Sequence, residues 1–193
     1  QDLTGLSLML RSLERSLEPQ QAAQREAVES MSAVVRQLLD DTRVIAQGGA
    51  PTRVPLSQLA VALDQLARRS AARAGIDVQC TSTVAAALPA SEVIGTNLYR
   101  IAQEATTNAL RHAGARRIRI LFEAADGRLH LGITDDGCGF EPAAAQAAGA
   151  GLTNMRNRAA AIGAELEIQS GSGRGCSVDC RLDLLREPAP SNR

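Results

Sequence analysis

Over the first 47 residues apolar side chains recur in alternating steps of three and four, and that rhythm stops at Gly48-Gly49-Ala50-Pro51. One stripe runs through Leu3, Leu6, Leu10, Leu13 and Leu17; Pro19 interrupts it, and a second runs through Val28, Met31, Val35, Leu38, Thr42 and Ile45. Such heptad spacing puts a narrow apolar seam along each of two helices and demands helical partners for both. A lone hairpin cannot supply them. A buried Leu contributes roughly 1.5–3 kcal/mol, while ordering each residue costs about as much. The expected solution is a homodimer in which two hairpins close a four-helix bundle; the competing one is a hairpin packed on its own globular domain. The chain accordingly divides into a hairpin over 1–47, a linker over 48–55, a globular domain over 56–185 and a disordered tail over 186–193, where Pro and Ser gather.

Beyond the linker the periodicity changes. Leu56, Leu59, Ala60, Leu63, Leu66 and Ala67 share one face of a helix over 56–74 that Gly75 ends. A short alternating strand covers Ile76 to Cys80, and a long helix runs from about Ser91 to His112. Alternation at Ile118, Ile120 and Phe122, then at Leu129, Leu131 and Ile133, predicts two strands joined through Asp126-Gly127, a strong hairpin signal. A Gly- and Ala-rich loop from Gly137 to Gly151 leads into a helix over 152–162. Strands at Leu166–Ile168 and Cys176–Leu182, joined by Gly171-Ser172-Gly173, close the domain. Five partly antiparallel strands and three helices predict an α+β fold, a two-layer α/β sandwich with helices on one face of a mixed sheet.

Composition narrows the function classes. With 21 basic and 21 acidic residues the net charge is zero, so bulk charge favours neither nucleic acid nor an anionic membrane. No apolar run approaches the ~20 residues that span a bilayer, and no membrane contact by these residues is expected. Four cysteines match no CxxC pair, and Cys176 and Cys180 fall too far apart along one strand face to bridge. Reduced thiols in the cytoplasm are the expectation. The chain opens on Gln1 rather than Met, which is read as the mark of a piece of a longer protein.

Four constellations carry chemistry. Glu104 and Asn108 lie four apart on the long helix, with Arg111 and His112 continuing their face and Leu98, Ile101, Ala102, Ala105 and Ala109 opposite. A carboxylate beside a carboxamide can hold hydrated Mg²⁺ and orient a nucleophile; a solvated polar helix face looks the same. Asp135-Asp136-Gly137-Cys138-Gly139 follows a strand directly, so Asp135 is placed to accept from a ring amino group that the glycines let approach; an ordinary acidic turn is the plain alternative. Gly149-Ala150-Gly151-Leu152 opens the helix carrying Met155, Arg156 and Arg158, and free amides there suit phosphate. Its spacing is not the dinucleotide GxGxxG. Gly173-Arg174-Gly175-Cys176 reads by itself as a hairpin turn.

The order of these boxes resembles the GHKL ATPase superfamily, and within it the sensor histidine kinases of the nitrate-sensor-like subfamily. The resemblance rests on LYRIAQEATTNALRHAGA, ITDDGCGF and GAGLTNMRNRAAAIGAELEIQSGSGRGCSV, and the opening QDLTGLSLMLRSLE is similar to the stretch just after that subfamily's phospho-acceptor. It implies ATP and Mg²⁺ as cofactors, with Glu104 polarising the attacking group and Asn108 ligating Mg²⁺. Asp135 would read the adenine amino group, Gly137 and Gly139 would wrap the base, and Gly149, Gly151 and Leu152 would lie at the lid beside the phosphates. His112 would contact a phosphate or cap its helix; His130, mid-strand, is expected to be structural. Cys176 stands where the subfamily often has Thr, so no hydroxyl is expected there. The acceptor pattern His-Asp-x-x-x-Gln would end at Gln1, leaving the acceptor histidine outside this sequence and giving Gln1 a possible role in dephosphorylating the partner. The implied reaction passes the ATP γ-phosphate to a histidine and then to an aspartate of a response regulator receiver domain. A serine kinase of the same superfamily would lack the hairpin, and a scaffold that had lost nucleotide binding would not keep Glu104, Asn108, Asp135 and the glycines.

Overall fold

A computed structural model describes residues 53–85, 87–140 and 150–185, together with Met9, Gln24, Val28, Met31 and Val35. Two compact units result, Gln1–Thr52 and Arg53–Arg193. In the first, the five described residues are helical. Val28 and Val35, one heptad apart, are buried, whereas Met31 between them is 56% exposed. The first apolar stripe, Pro19, the breaker at 48–51, Gln1 and the tail from 186 lie outside the described residues.

The second unit is built on a five-stranded sheet in the order β1-β2-β3-β5-β4. Its strands are β1 (Asp77–Val84), β2 (Arg117–Ala125), β3 (Arg128–Asp135), β4 (Glu165–Ser170) and β5 (Cys176–Asp183). The β1–β2 pair is parallel and the other pairs are antiparallel. The helices are α1 (Leu59–Ala74), α2 (Glu92–Asn108) and α3 (Ala150–Ala161). This is the expected mixed sheet with helices. The β1 strand runs four residues past the expected Cys80, because its parallel ladder with β2 continues to Val84 opposite Ala124. That extension is mostly exposed, so burial periodicity could not reveal it.

Alternation decides which face is the core. Ile118, Ile120, Phe122 and Ala124 of β2 are buried, as are Leu129, Leu131 and Ile133 of β3 and Val178, Cys180 and Leu182 of β5. In register, Ile120, Ile133, Val178 and Ile168 stand in one row, and Phe122, Leu131, Cys180 and Leu166 in the next. The helices seal these rows with Leu59, Leu63 and Leu66 of α1, Leu98, Ile101, Ala102 and Ala105 of α2, and Met155 and Ala159 of α3. The opposite face is polar. On it His130 lies between Glu123 Oε2 at 3.3 Å and Asp179 Oδ1 at 2.9 Å, with Ser177 Oγ donating to Asp179 Oδ2 at 2.7 Å. His130 thus ties three strands together.

Local chemistry sets the ends. Gly75 terminates α1 in the left-handed region (φ 69°), its N–H donating to Ala71 O. Ser91 caps α2, its hydroxyl accepting from Ile94 N at 3.3 Å. Asp126 and Gly127 both take positive φ (50° and 73°) in the β2–β3 turn, as a tight hairpin twisted like its strands requires.

Candidate nucleotide site

A cleft opens at one end of the sheet, under α2 and α3. Asp135 is the last residue of β3, in register with Ile118 on one side and Cys176 on the other. That parity turns it to the helix-covered face, just past the apolar row of Ile133 and Val178. Its Oδ1 accepts from Gly137 N at 2.9 Å. Burial pushes its carboxyl above the ordinary range, with neighbouring Asp136 adding to the effect, while the amides of Gly137 and Cys176 pull the other way. A carboxylate poorly solvated by water and incompletely satisfied by protein is an acceptor waiting for a donor.

Asp136 points elsewhere. Its Oδ1 accepts from the amides of Arg116 and Arg117, both at 2.8 Å, and its Oδ2 lies 3.6 Å from Arg117 Nε. Those amides hold its pKa below the usual value. The side chain staples the turn after β3 to the start of β2. A second staple is Cys138 N donating to Ala113 O at 2.8 Å. Gly137 is required beside it, because a Cβ there would run into Ala113.

The wall above is α2. The helix ends in a π-helical turn, Ala109–Ala113, closed by Gly114 with φ 59°. Such wider turns are rare and cluster at functional sites. Asn108, Ala109, His112 and Ala113 from this stretch line the cavity, with Ala105 one turn earlier. Leu152 and Met155 of α3 form the facing wall, and Ile133, Val178 and Cys176 form the sheet side. Phe140 and Gly139 close the rim, and the enclosed space is about 130 Å³. The Cys176 thiol is pushed up to about 11 by burial and by the Asp135 charge, so it is protonated at neutral pH.

Asn108, His112, Asp135, Gly139 and Leu152 therefore share one cleft. Glu104 joins it through Gly151: a Cβ on Gly151 would strike Glu104 Oε1 and sit 3.4 Å from Asn108 Nδ2. The α3 helix starts at Ala150, two residues before the expected Leu152, so Gly151 lies in its first turn rather than in the loop. Gly137 packs behind the wall instead of lining it. Gly149 and Gln1 lie outside the described residues. Sequence reasoning found the turn over Gly171–Gly175 but gave no site role to Phe140, Met155 or Ser170. Of these, only Met155, three residues after Leu152 on a helix, left a periodic signal.

The geometry suits a nucleotide on its own evidence: one half-buried acceptor at the end of an apolar slot, a carboxamide and a carboxylate at the mouth, and a helix N-terminus whose glycine leaves no side chain in the way. Among the described residues no cluster of three or more His, Cys, Asp or Glu could hold a metal ion. No described helix is long and apolar enough to cross a membrane.

Comparison with known proteins agrees. Residues 94–186 match the family model described as Histidine kinase-, DNA gyrase B-, and HSP90-like ATPase. Among curated proteins of Bacillus subtilis (strain 168), the chain is 31% identical over 186 residues to the sensor histidine kinase LnrJ, covering 96% of this chain and 45% of that protein. It is 28% identical to YxjM (95% and 44%) and 27% identical to LiaS (82% and 41%), both also sensor histidine kinases. The chain thus spans under half the length of these relatives. Among solved structures, the histidine kinase domain of the Erythrobacter litoralis EL346 blue-light activated histidine kinase superposes with TM-score 0.53 at 20% identity, covering 94% of this chain and 96% of that one. Full-length ShkA in complex with AMPPNP gives TM-score 0.54 at 22% identity, covering 98% and 47%. At these identities the likeness is one of fold.

Proposed function

We propose that this chain carries the ATP-binding catalytic core of a two-component sensor histidine kinase, as the match of residues 94–186 to the histidine kinase-, DNA gyrase B- and HSP90-like ATPase model supports, and that the cleft under α2 and α3 binds Mg·ATP and hands the γ-phosphate to a histidine. The observation that carries this is Asp135. Its carboxyl is half-buried at the end of an apolar slot that also holds Asn108, His112 and Leu152.

In this reading Asp135 accepts the hydrogen bond of the adenine amino group, while Ile133, Met155 and Val178 bury the ring. The amides at the start of α3 face the phosphates, where a helix N-terminus favours negative charge. Asn108 would hold Mg²⁺ through its amide oxygen, and the ion would supply charge neutralisation along the triphosphate. Glu104, one turn before Asn108 and against Gly151, orients the attacking imidazole and takes up its proton. Gly149 belongs at the root of the lid. The occurrence of AMPPNP in the ShkA complex supports an adenine nucleotide as the ligand.

The finer assignments follow from the same reading. The acceptor is neither His112, which lines the cleft itself, nor His130, which is bonded between Glu123 and Asp179 on the far face of the sheet. The segment 1–47 dimerises through its heptad stripes; the exposure of Met31 between buried Val28 and Val35 supports a missing partner. A response regulator receiver domain takes the phosphoryl group, Gln1 serves its dephosphorylation, and the site works in the cytoplasm.

Titration of the chain with ATP, with and without Mg²⁺, tests the proposal. Micromolar binding that Mg²⁺ strengthens in the native protein, with the Mg²⁺ increment lost in Asn108→Ala, is the expected result. Binding indifferent to Mg²⁺ in both proteins would remove the metal assignment, and absence of ATP binding would remove the function.

A further inference from the structure

The chain has three aromatic residues, Tyr99, Phe122 and Phe140. Tyr99 and Phe122 are completely buried in the core, and the Tyr99 hydroxyl accepts from Arg69 Nη2 at 3.1 Å. Phe140 alone is partly exposed, and it lines the nucleotide cleft. An aromatic face is a sequence-tolerant platform for a flat base, but only if the ring is held in place.

What holds it is the turn between β4 and β5. Ser170 ends β4 on the sheet edge, in register with Cys176, in the same row as Asp135. Its hydroxyl is used twice: it accepts from Phe140 N at 2.9 Å and donates to Gly175 O at 2.9 Å. Gly173 N donates to Cys138 O at 2.7 Å in the same contact. The two turns press together where neither tolerates a Cβ. Gly139 (φ 63°) faces the carbonyls of Gly171 and Gly175, and Gly175 (φ 70°) faces the carbonyl of Asp135. The β4–β5 turn therefore sets the height of the whole stretch from Asp135 to Phe140, and the Ser170 hydroxyl is its bond to Phe140.

We propose that Phe140 is the base-stacking wall of the cleft and that Ser170 is the positioning residue that fixes it there, so that a side chain outside the cleft sets the affinity for the purine. The proposal rests on the nucleotide reading above. Its test is calorimetric titration of the whole chain with ATP and, separately, with inorganic tripolyphosphate, for the native protein, Ser170→Ala, Ser170→Thr, Phe140→Leu, Phe140→Ala and the Ser170→Ala/Phe140→Ala double variant.

Removing the hydroxyl should weaken ATP about five- to tenfold, as expected when a part-buried amide loses its acceptor. Thr should restore affinity to within about twofold, and tripolyphosphate binding should stay unchanged. Phe140→Ala should weaken ATP at least as much, and the double variant should be no worse than Phe140→Ala alone, because two residues acting through one wall are not additive. Additive losses, or an unaltered Ser170→Ala, would overturn the proposal. Should Ser170→Ala fail to fold, Phe140→Leu keeps the backbone donor and the latch; native ATP affinity there overturns it equally. A native protein that binds tripolyphosphate and ATP alike refutes base stacking while sparing the phosphate site, whereas one that binds neither refutes the function itself.

Discussion

Two adjacent carboxylates with opposite roles show how much one residue's surroundings decide. Asp135 and Asp136 differ by one step along a strand end, which sends them to opposite faces. Burial raises Asp135, keeping it hungry for a donor, while two backbone amides lower Asp136 and spend its acceptor capacity on structure. The linkage sign for Asp136 follows from its lowered pKa. Its native-state charge stabilises the fold above the unfolded value near 3.8, and that contribution fades as pH falls through the still lower folded value. Asp136→Asn keeps an oxygen for the two amides but no charge. The variant should melt below the native protein at pH 7, and the gap should close as pH drops below about 4, as thermal unfolding across pH would read. A gap that is constant with pH would mean that the carboxylate charge contributes nothing.

At the scale of elements, α2 does most of the positioning. Its N-terminal half is anchored by close backbone approach: a Cβ on Gly95 would overlap Val54 O, Leu56 N and Pro55 C, and Thr96 Oγ1 accepts from Val54 N at 3.0 Å. Gly95→Ala should gain up to about 1 kcal/mol in helix propensity. It meets rigid backbone rather than a flexible tip, so overpacking of about 1–3 kcal/mol wins. A urea midpoint lower than native is expected; a higher one would show that the Val54–Leu56 segment simply moves away. The helix itself was legible: Ser91, Glu92 and the apolar face at Leu98, Ile101, Ala102, Ala105 and Ala109 announce it, and all five are buried. Its π-helical end was not. Ala109–Ala113 continues the α-helical pattern letter for letter, and the partner that meets its last carbonyl, Cys138 N on Ala113 O, lies far away in sequence. Likewise Ser170 carries no pattern of its own, since a serine closing a strand is commonplace.

At the scale of the whole molecule, two units divide the labour. The sheet unit buries its own continuous core, so residues 53–193 should fold and stay monomeric, whereas the chain with 1–52 should sediment as a dimer whose mass falls on dilution. A monomeric full chain at micromolar concentration would refute the bundle. The five-strand order β1-β2-β3-β5-β4 could not be read off in advance. Alternation reveals which residues face inward but leaves open which strand lies beside which, and the parallel β1–β2 pairing depends on α2 crossing between them.

What the sequence determined by itself is whatever depends on near neighbours: helix and strand periods, the left-handed stops at Gly75 and Gly127, and the carboxylates and glycines at the strand ends. Those preferences act over a few residues and survive in any context. Only the tertiary structure decided that Asn108, Asp135 and Leu152 meet across one slot, that Asp136 turns away to brace β2, and that Ser170 reaches Phe140. Each of these groupings joins residues well separated along the chain, and only burial of a shared apolar core brings them together.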